Sequence, residues 1–137
     1  MILLDANAVI AVVNDRPRVI AERFGQKALA GDRLATSSIV LFELYFGIAK
    51  SHPARMRDNY TRLARFLKGP VDILAFDEHD AKCAGDIRAS LAGLGSPIGP
   101  YDVLIAGQAM RHQATLITAN TSEFSRVPGL KLDDWSN

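Results

Sequence analysis

The first residues of the chain form an apolar run that stops abruptly on a carboxylate, Met1-Ile2-Leu3-Leu4-Asp5. The same pattern recurs, because Glu43 interrupts the apolar segment 39–46 and Asp102 precedes the apolar segment 103–106. A carboxylate beside buried apolar surface is costly to desolvate unless a partner compensates its charge. No basic residue stands beside these acids in the sequence, so a shared divalent cation is the simplest explanation of the pattern.

Short apolar strands alternate with longer helical patterns along the chain. This predicts a three-layer α/β/α domain with a central parallel sheet of four to five strands. Strands are expected at 3–4, 34–36, 71–76 and 116–118, with a short fifth at 130–132. Helices are expected at about 6–13, 17–31, 38–51, 53–69, 78–94 and 100–112. No linker or repeat is visible, so residues 1–137 are expected to form one domain.

Composition narrows the class of protein. The chain has 137 residues, enough for one real core. Its one cysteine, Cys83, cannot form an internal disulfide, and its three histidines are too scattered for zinc-ligand spacing. The net charge is only +1. There is no basic leader and no apolar run of roughly 18 residues, so we expect a cytoplasmic protein that does not insert into membranes.

Each acid also has a purely structural explanation. Asp5 could cap the helix that follows it. Asp102, in the first turn of a helix, would gain about 0.3 to 1 kcal/mol from the helix dipole. Glu43 is harder to explain in this way, because its helical neighbours three and four positions away are apolar. The alternative partners for Glu43 are the hydroxyls of Ser37 or Ser38, one of which is expected to cap that helix.

The predicted topology should bring these acids together. In a doubly wound sheet the loops after the strands gather at one edge, so residues far apart in sequence meet there. Asp5 and the segment 118–123 follow strands, while Glu43 and Asp102 are expected in first turns of helices. Carboxylates at one site repel each other unless a hard cation takes their oxygens. Oxygen donors without a histidine pair favour Mg²⁺, with Mn²⁺ as a substitute, over zinc.

A second feature is a local excess of positive charge. From Lys50 to Lys68 there are six basic residues against one acid, Asp58. A basic helix at the rim of an acidic cleft would attract a polyanion such as RNA. The alternative is a solvated helix face with no binding role.

Four motifs follow one another along the chain, namely Leu3-Leu4-Asp5-Ala6-Asn7, Ser37-Ser38-Ile39-Val40-Leu41-Phe42-Glu43-Leu44, Ile98-Gly99-Pro100-Tyr101-Asp102 and Leu116-Ile117-Thr118-Ala119-Asn120-Thr121. Together and in this order they resemble the motifs of PIN-domain ribonucleases. The closing stretch 126–130, followed by Asp133-Asp134-Trp135, resembles the VapC toxins of bacterial VapBC toxin–antitoxin modules. The resemblance covers the whole chain in order. It implies a metal-dependent endoribonuclease of the toxin class, with tRNA as a favoured substrate.

The resemblance also implies roles for single residues. Asp5, Glu43 and Asp102 match the acids that hold a magnesium ion and its activated water. Asn120 stands where the family most often has a fourth acid. That role is therefore assigned to Glu123, with Asn120 as a neutral oxygen donor. The expected substrate contacts are polar or basic, namely Asn7, Thr118, Arg111 and Arg126.

Partners follow from the same resemblance. VapC-like toxins pair as homodimers and are held by a VapB-like antitoxin, whose helix and tail cover the cleft. The aromatic surface around Phe42, Tyr45 and Phe46, together with the helix 17–29, could supply such contacts. Core packing is the simpler explanation for any one of these aromatic side chains.

Two other classes of protein stay open from the sequence. A phosphoryl-transfer domain of the haloacid-dehalogenase or receiver type also ends its first strand on aspartate. Against it, Asn7 stands where such a phosphatase needs a second aspartate, and no lysine follows the strand ending at Thr118. A catalytically degenerate PIN-like module, which binds RNA or protein without cutting, is favoured by Asn120. Loop and cap hydrogen bonding would also explain Asn7 and Thr118 without a substrate.

Overall fold

The computed structural model describes residues 1–136, in which strands and helices alternate. The strands are β1 (Ile2–Leu4), β2 (Leu34–Ser37), β3 (Asp72–Leu74), β4 (Thr115–Ile117) and β5 (Lys131–Asp133). The helices are α1 (Ala6–Asn14), α2 (Arg18–Leu29), α3 (Ser38–Ala49), α4 (Pro53–Leu67), α5 (Glu78–Gly93), α6 (Pro100–Arg111) and α7 (Thr121–Phe124). None of these helices is long and apolar enough to cross a bilayer.

All five strands are parallel and lie in the order β3-β2-β1-β4-β5. The central strand is β1, where Leu3 pairs with Ala35 on one side and with Leu116 on the other. These three residues are 0 % exposed, as expected for a parallel sheet that is covered on both faces. The predicted α/β fold with a parallel sheet is confirmed, and the carboxyl ends of its strands lie at one edge.

Side chains at the junctions between strands and helices decide where the helices begin. Ser37 accepts the backbone N–H of Ile39 at 3.0 Å, so α3 begins directly after β2. The prediction that Glu43 lies in the first turn is wrong, because a helix that begins at Ser38 and has 3.6 residues per turn places Glu43 in its second turn. Pro53 and Pro100 occupy first-turn positions, as the sequence predicted.

Two elements differ from the prediction. The sequence did not reveal α7, because four residues are too short to show a helical period. Strand β3 is also shorter than the predicted segment 71–76. It ends early because the backbone N–H of Phe76 donates to the Ser38 hydroxyl at 3.0 Å, outside the strand ladder.

Helices α5 and α6 approach closely where Gly107 faces Ala84. A methyl group on Gly107 would lie 2.6 Å from the backbone nitrogen and Cα of Ala84. Backbone atoms cannot rotate away as a flexible side chain can, so any larger residue at position 107 must push the two helices apart.

We expect Gly107→Ala to lower the free energy of unfolding by about 1 to 3 kcal/mol, because overpacking a close helix contact strains both backbones. The matched control is Gly85→Ala on α5, where an added methyl group meets nothing within 4 Å. That control should keep stability or gain up to about 1 kcal/mol from better helix propensity. Denaturant unfolding measures both variants, and equal losses would contradict this reading of the contact.

Candidate active site

Asp5 follows β1 directly and lies at the carboxyl edge of the sheet. Its Oδ1 accepts the backbone N–H of Ala8 at 2.9 Å, so it does cap α1. The side chain of Thr118, which follows β4, also hydrogen bonds to this carboxylate. Asp5 is only 7 % exposed, and this burial raises its pKa above the ordinary value despite the hydrogen bonds. Capping is therefore part of its role and does not remove the cost of burying its charge.

Glu43 reaches the same region from α3. Burial raises the pKa of Glu43, and the negative charges of Asp102 and Asp5 raise it further. Its Oε1 is buried and has no hydrogen-bond partner among residues 1–136. Neither Ser37 nor Ser38 donates its hydroxyl to this oxygen. Both hydroxyl oxygens accept backbone N–H groups of other residues. A buried carboxylate oxygen without a partner is costly, so Glu43 has the clearest need for a cation.

Asp102 lies in the first turn of α6. Burial raises the pKa of Asp102 to about 6, and the charges of Glu123 and Asp5 contribute to the rise. The Nδ2 of Asn120 donates to Asp102 Oδ2 at 3.3 Å, which acts in the opposite direction. Since Asp5, Glu43 and Asp102 influence one another in this way, they form one electrostatically coupled group. We call these three residues the acid cluster.

Glu123 lies beside the acid cluster, where it holds other groups in place. Its Oε2 accepts the side-chain amide of Asn120 at 2.7 Å, and its Oε1 accepts the backbone N–H of Gly99 at 3.2 Å. The hydrogen bond from Asn120 is the main cause that lowers the pKa of Glu123. We call this arrangement the Glu123 brace, because it holds Asn120 against Asp102 and fixes the start of α6.

The brace corrects the role predicted for Asn120. The sequence assigned Asn120 as a neutral oxygen donor, whereas the structure turns its amide nitrogen toward the acids. Two carboxylates, those of Asp102 and Glu123, need a hydrogen-bond donor between them, and only the nitrogen side of the amide supplies one.

The other predicted substrate contacts lie at different positions relative to the acid cluster. Thr118 is 1 % exposed, bonds to Asp5 and accepts the backbone N–H of Asn120 at 2.9 Å, so it supports the acid cluster from behind. Asn7 is exposed and reaches Asp5 through its backbone amide. Arg126 donates to the carbonyl of Pro97 at 2.8 Å, and its charge lowers the pKa of Glu123, which places it at the rim.

Arg111 does not join this rim. It ends α6, about 13 Å along the helix axis from Asp102 at about 1.5 Å per residue. Its guanidinium lies 3.4 Å from Asp77 Oδ2 and 3.7 Å from Asp80 Oδ1, and Asp80 is 0 % exposed. The charge of Arg111 therefore compensates these aspartates between α5 and α6, and we do not retain it as a substrate contact.

Two residues at this edge were missed by the sequence reasoning. The negative charge of Asp134, which follows β5, contributes to the raised pKa of Asp5. Thr36 is 0 % exposed and donates to the carbonyl of Leu4 at 2.9 Å, which fixes the backbone just before Asp5. The rule that strand ends converge at one edge would have found Asp134. No such rule would have found Thr36, because it lies within a strand and not at its end.

The donor set of the acid cluster fits a hard divalent cation. Among residues 1–136, no three His, Cys, Asp or Glu side chains are already gathered at metal-ligating distance. Like charges repel, so carboxylates approach closely only when a cation neutralises them. The raised pKa values and the buried Glu43 Oε1 without a partner are the features that such a cation would relieve. The residues that would hold it are Asp5, Glu43 and Asp102.

Comparison with known proteins identifies the family. The profile of the PIN domain matches residues 2–130. The chain is 37 % identical over 134 residues to the tRNA(fMet)-specific endonuclease VapC of Shigella flexneri, covering 98 % of this chain and 97 % of that protein. The chain belongs to the PIN domain family. Within it, the chain is a VapC protein, so the resemblance noted from the motifs is confirmed.

Other VapC proteins agree in sequence and in structure. Ribonuclease VapC2 of Rickettsia felis is 36 % identical over 136 residues, which are 97 % of this chain and 96 % of the relative. A crystal structure of VapBC2 from Rickettsia felis bound to promoter DNA superposes with a TM-score of 0.90 at 34 % identity, covering 99 % of this chain and 100 % of that one. DNA-bound VapBC from Salmonella typhimurium gives 0.87 at 36 % identity, with 98 % and 99 % covered. Membership of this family excludes the haloacid-dehalogenase and receiver classes.

We expect the stability of the metal-free VapC protein to depend on the protonation of Asp102. Its folded pKa of about 6 lies above the ordinary value of 3.8, so the folded state binds this proton more tightly than the unfolded state. The resulting stability is fully present below about pH 4 and is lost as the pH rises through about 6. At about pH 7, Asp102→Asn should therefore raise the free energy of unfolding by on the order of 1 kcal/mol, once solvent screening is taken into account. At about pH 4 it should change the free energy of unfolding little.

Denaturant unfolding in EDTA at these two pH values measures the effect of Asp102→Asn. The control is Asp32→Asn, which alters an exposed acid far from the acid cluster in sequence and should show no such pH-dependent gain. A gain from Asp102→Asn that is the same at both pH values would contradict the role given to its charge.

We expect Asn120→Asp to destabilise the metal-free protein by about 1 to 3 kcal/mol, because a carboxylate replaces the donor between Asp102 and Glu123. Added Mg²⁺ should raise the melting temperature of this variant more than that of the wild type, since the extra charge increases the demand for a cation. Asn120→Ala is the control, since it removes the donor without adding charge. Thermal unfolding with and without Mg²⁺ measures these effects. An equal rise in melting temperature on addition of Mg²⁺ in the wild type and both variants would argue against the brace.

Proposed function

We propose that this protein is a Mg²⁺-dependent endoribonuclease and the toxin component of a type II toxin–antitoxin module. It acts in the cytoplasm, with residues 1–137 forming a single PIN domain. The observation that carries the proposal is the buried Glu43 Oε1, which lacks a hydrogen-bond partner within residues 1–136 and lies beside the charges of Asp5 and Asp102. The named activities of the relatives, an endonuclease specific for a tRNA and a ribonuclease, support RNA as the substrate.

The chemistry follows from the acid cluster. When bound by Asp5, Glu43 and Asp102, Mg²⁺ would supply a water of lowered pKa as a nucleophile and would offset the charge that develops on the phosphate. An oxygen of Glu43 orients the attacking water. The bond between phosphorus and the 3′ oxygen breaks, and the 3′ oxygen takes up a proton, which leaves a 5′-phosphate and a 3′-hydroxyl. No 2′,3′-cyclic phosphate forms, because water rather than the ribose 2′-hydroxyl attacks.

The surrounding hydrogen bonds hold the acids ready for this reaction. Thr118 and the amide of Ala8 fix Asp5 at the end of β1. Asn120, itself held by Glu123, fixes Asp102 at the start of α6. Side chains held in this way lose little freedom when substrate binds, which lowers the cost of reaching the transition state.

The proposed substrate is single-stranded or looped RNA, because such a backbone can enter a narrow cleft between helices. Arg126 at the rim is one compensating positive charge, and Arg55 and Arg62 of α4 supply others. The relative from Shigella flexneri is named for a tRNA, and tRNA is the first candidate here.

The proposed partners are a VapB-like antitoxin and a second copy of this chain. Related VapC chains were solved in VapBC complexes from Rickettsia felis, Salmonella typhimurium and Haemophilus influenzae. Phe42, Tyr45 and Phe46 are 54 %, 43 % and 58 % exposed. Core packing therefore does not account for them, and these apolar rings on α3 are available to a partner.

Purified protein freed of antitoxin should cut single-stranded RNA with Mg²⁺ or Mn²⁺ and leave 5′-phosphate ends. EDTA should stop cleavage, and Asp5→Asn should slow it by about 100-fold or more, the scale at which a missing charge-stabilising group acts. Asp32→Asn, at an exposed acid, is the matched control and should cut normally. Gel analysis of labelled RNA with end mapping measures this. Cleavage that survives EDTA rejects the metal mechanism, and RNA binding without cleavage supports a degenerate module.

A further inference from the structure

A cleft beside Glu43 opens between α1, α3 and α4 and is not needed to explain the acid cluster. Its volume is about 220 Å³. This lies below the roughly 300 Å³ at which pockets for drug-sized ligands begin, so it suits a smaller group. The floor is apolar and consists of Val9, Val13, Leu44, Ile48 and Leu63. Because Glu43 lines one side, whatever enters the cleft lies directly next to the acid cluster.

The cleft is polar along another part of its wall. Asn14, Asn59 and Arg62 line it there, and Arg62 donates to Asn14 Oδ1 at 3.4 Å. Two amides and a guanidinium offer both hydrogen-bond donors and acceptors. An apolar floor with such a polar wall fits a flat ring that has apolar faces and polar edges, which describes a nucleobase.

A wider groove continues from this cleft and is rich in arginine. Its volume is about 660 Å³, and it shares Asn14, Asn59 and Arg62 with the cleft. Arg16 and Arg55 also line it, against one acid, Asp58. Within residues 1–136, the ion pairs with carboxylates do not include Arg16, Arg55 or Arg62. Three arginine charges are thus available beside the cleft.

We propose that the cleft and the groove together bind the nucleotide adjacent to the scissile phosphate of a single-stranded RNA. The base enters the cleft beside Glu43, and the neighbouring phosphates lie along Arg16, Arg55 and Arg62. This inference rests on the proposed ribonuclease function, because the subsite is located by Glu43, which lines the cleft and belongs to the acid cluster.

Charge favours RNA over a protein segment as the occupant. The acid cluster repels a phosphate backbone, so an RNA that reaches it needs positive charges close by. The arginine groove supplies them and is continuous with the cleft that Glu43 lines. An apolar protein side chain would fill the floor equally well, but it would not use the three arginines.

Gly47 is the position from which the cleft is best filled by a substitution. It lines the cleft, and an added Cβ meets nothing within 4 Å. Gly47→Leu should raise KM for a single-stranded RNA oligonucleotide of mapped cleavage position by about tenfold, the equivalent of about 1.4 kcal/mol, with kcat little changed. Gly85→Leu, at an exposed helical glycine of α5 with equally open space, is the control and should leave both constants unchanged.

The arginine groove is tested through salt dependence. The logarithm of the binding constant of the Asp5→Asn protein for the same oligonucleotide should fall linearly with the logarithm of the salt concentration. Adding Arg55→Gln should make this slope shallower by about 0.7, the value for one lost phosphate contact on a single strand. Arg57→Gln is the matched control, because Arg57 is exposed on the same helix but lines neither cavity. Its slope should equal that of the parent protein.

An abasic nucleotide tests whether the base binds in the cleft. Removing the base next to the cleavage position should weaken binding to the Asp5→Asn protein about tenfold, the scale of one lost base contact, and should have no effect when Gly47→Leu is also present. Equal losses in both proteins would overturn the subsite. So would a Gly47→Leu protein that keeps its KM for RNA but escapes inhibition by its antitoxin, because the cleft would then hold a protein segment.

These measurements separate the two proposals. Should the wild type cut RNA while Gly47→Leu leaves KM unchanged and Arg55→Gln leaves the salt slope unchanged, the ribonuclease function is retained and the subsite is rejected. If Arg55→Gln lowers the salt slope in the Asp5→Asn background and Arg57→Gln does not, while the wild type never cuts, the arginine groove is retained as an RNA-binding surface and the ribonuclease function is rejected.

Discussion

The arrangement of this VapC protein depends on the repulsion among three partly buried carboxylates at one edge of a parallel sheet. Asp5, Glu43 and Asp102 raise one another's pKa values or have them raised by burial, and one oxygen of Glu43 lacks a partner among the described residues. A fold tolerates such a site only when the remaining structure holds it firmly. Here that support comes from the strand pairing of β1, the cap on α1 and the Glu123 brace.

The brace shows how a polar network can replace a charge. The resemblance of the motifs implies an acid at position 120, and here an amide occupies it. The amide donates to Asp102 and Glu123 at once, so it separates two negative charges where a further carboxylate would have added a third. Glu123 also binds the amide of Gly99, which begins α6. One side chain thereby connects the segment after β4 to the helix that carries Asp102.

The sequence predicted the fold correctly, and it also predicted that acids distant in sequence lie at one edge of the sheet, for physical reasons. Apolar runs ending on Asp5 and Thr118 mark strand ends, and parallel strands bring their ends to one edge. What it could not predict depends on side-chain direction over short distances. The orientation of the Asn120 amide, the ion pairs of Arg111 and the hydrogen bond from Phe76 to Ser38 leave no periodic signal. The cleft beside Glu43 was missed because its walls come from three separate helices.

The central position of β1 has a consequence for how toxicity begins. Its partner β4 comes much later in the sequence, after β2, β3 and helices α1 to α6, and the pairing of Leu3 with Leu116 joins these distant segments. The three acids come from the beginning, the first third and the last third of the polypeptide. A nascent or truncated chain that lacks β4 therefore cannot assemble the acid cluster. The proposed active site forms only once β4 has been made, which gives an antitoxin already present the time to capture the chain.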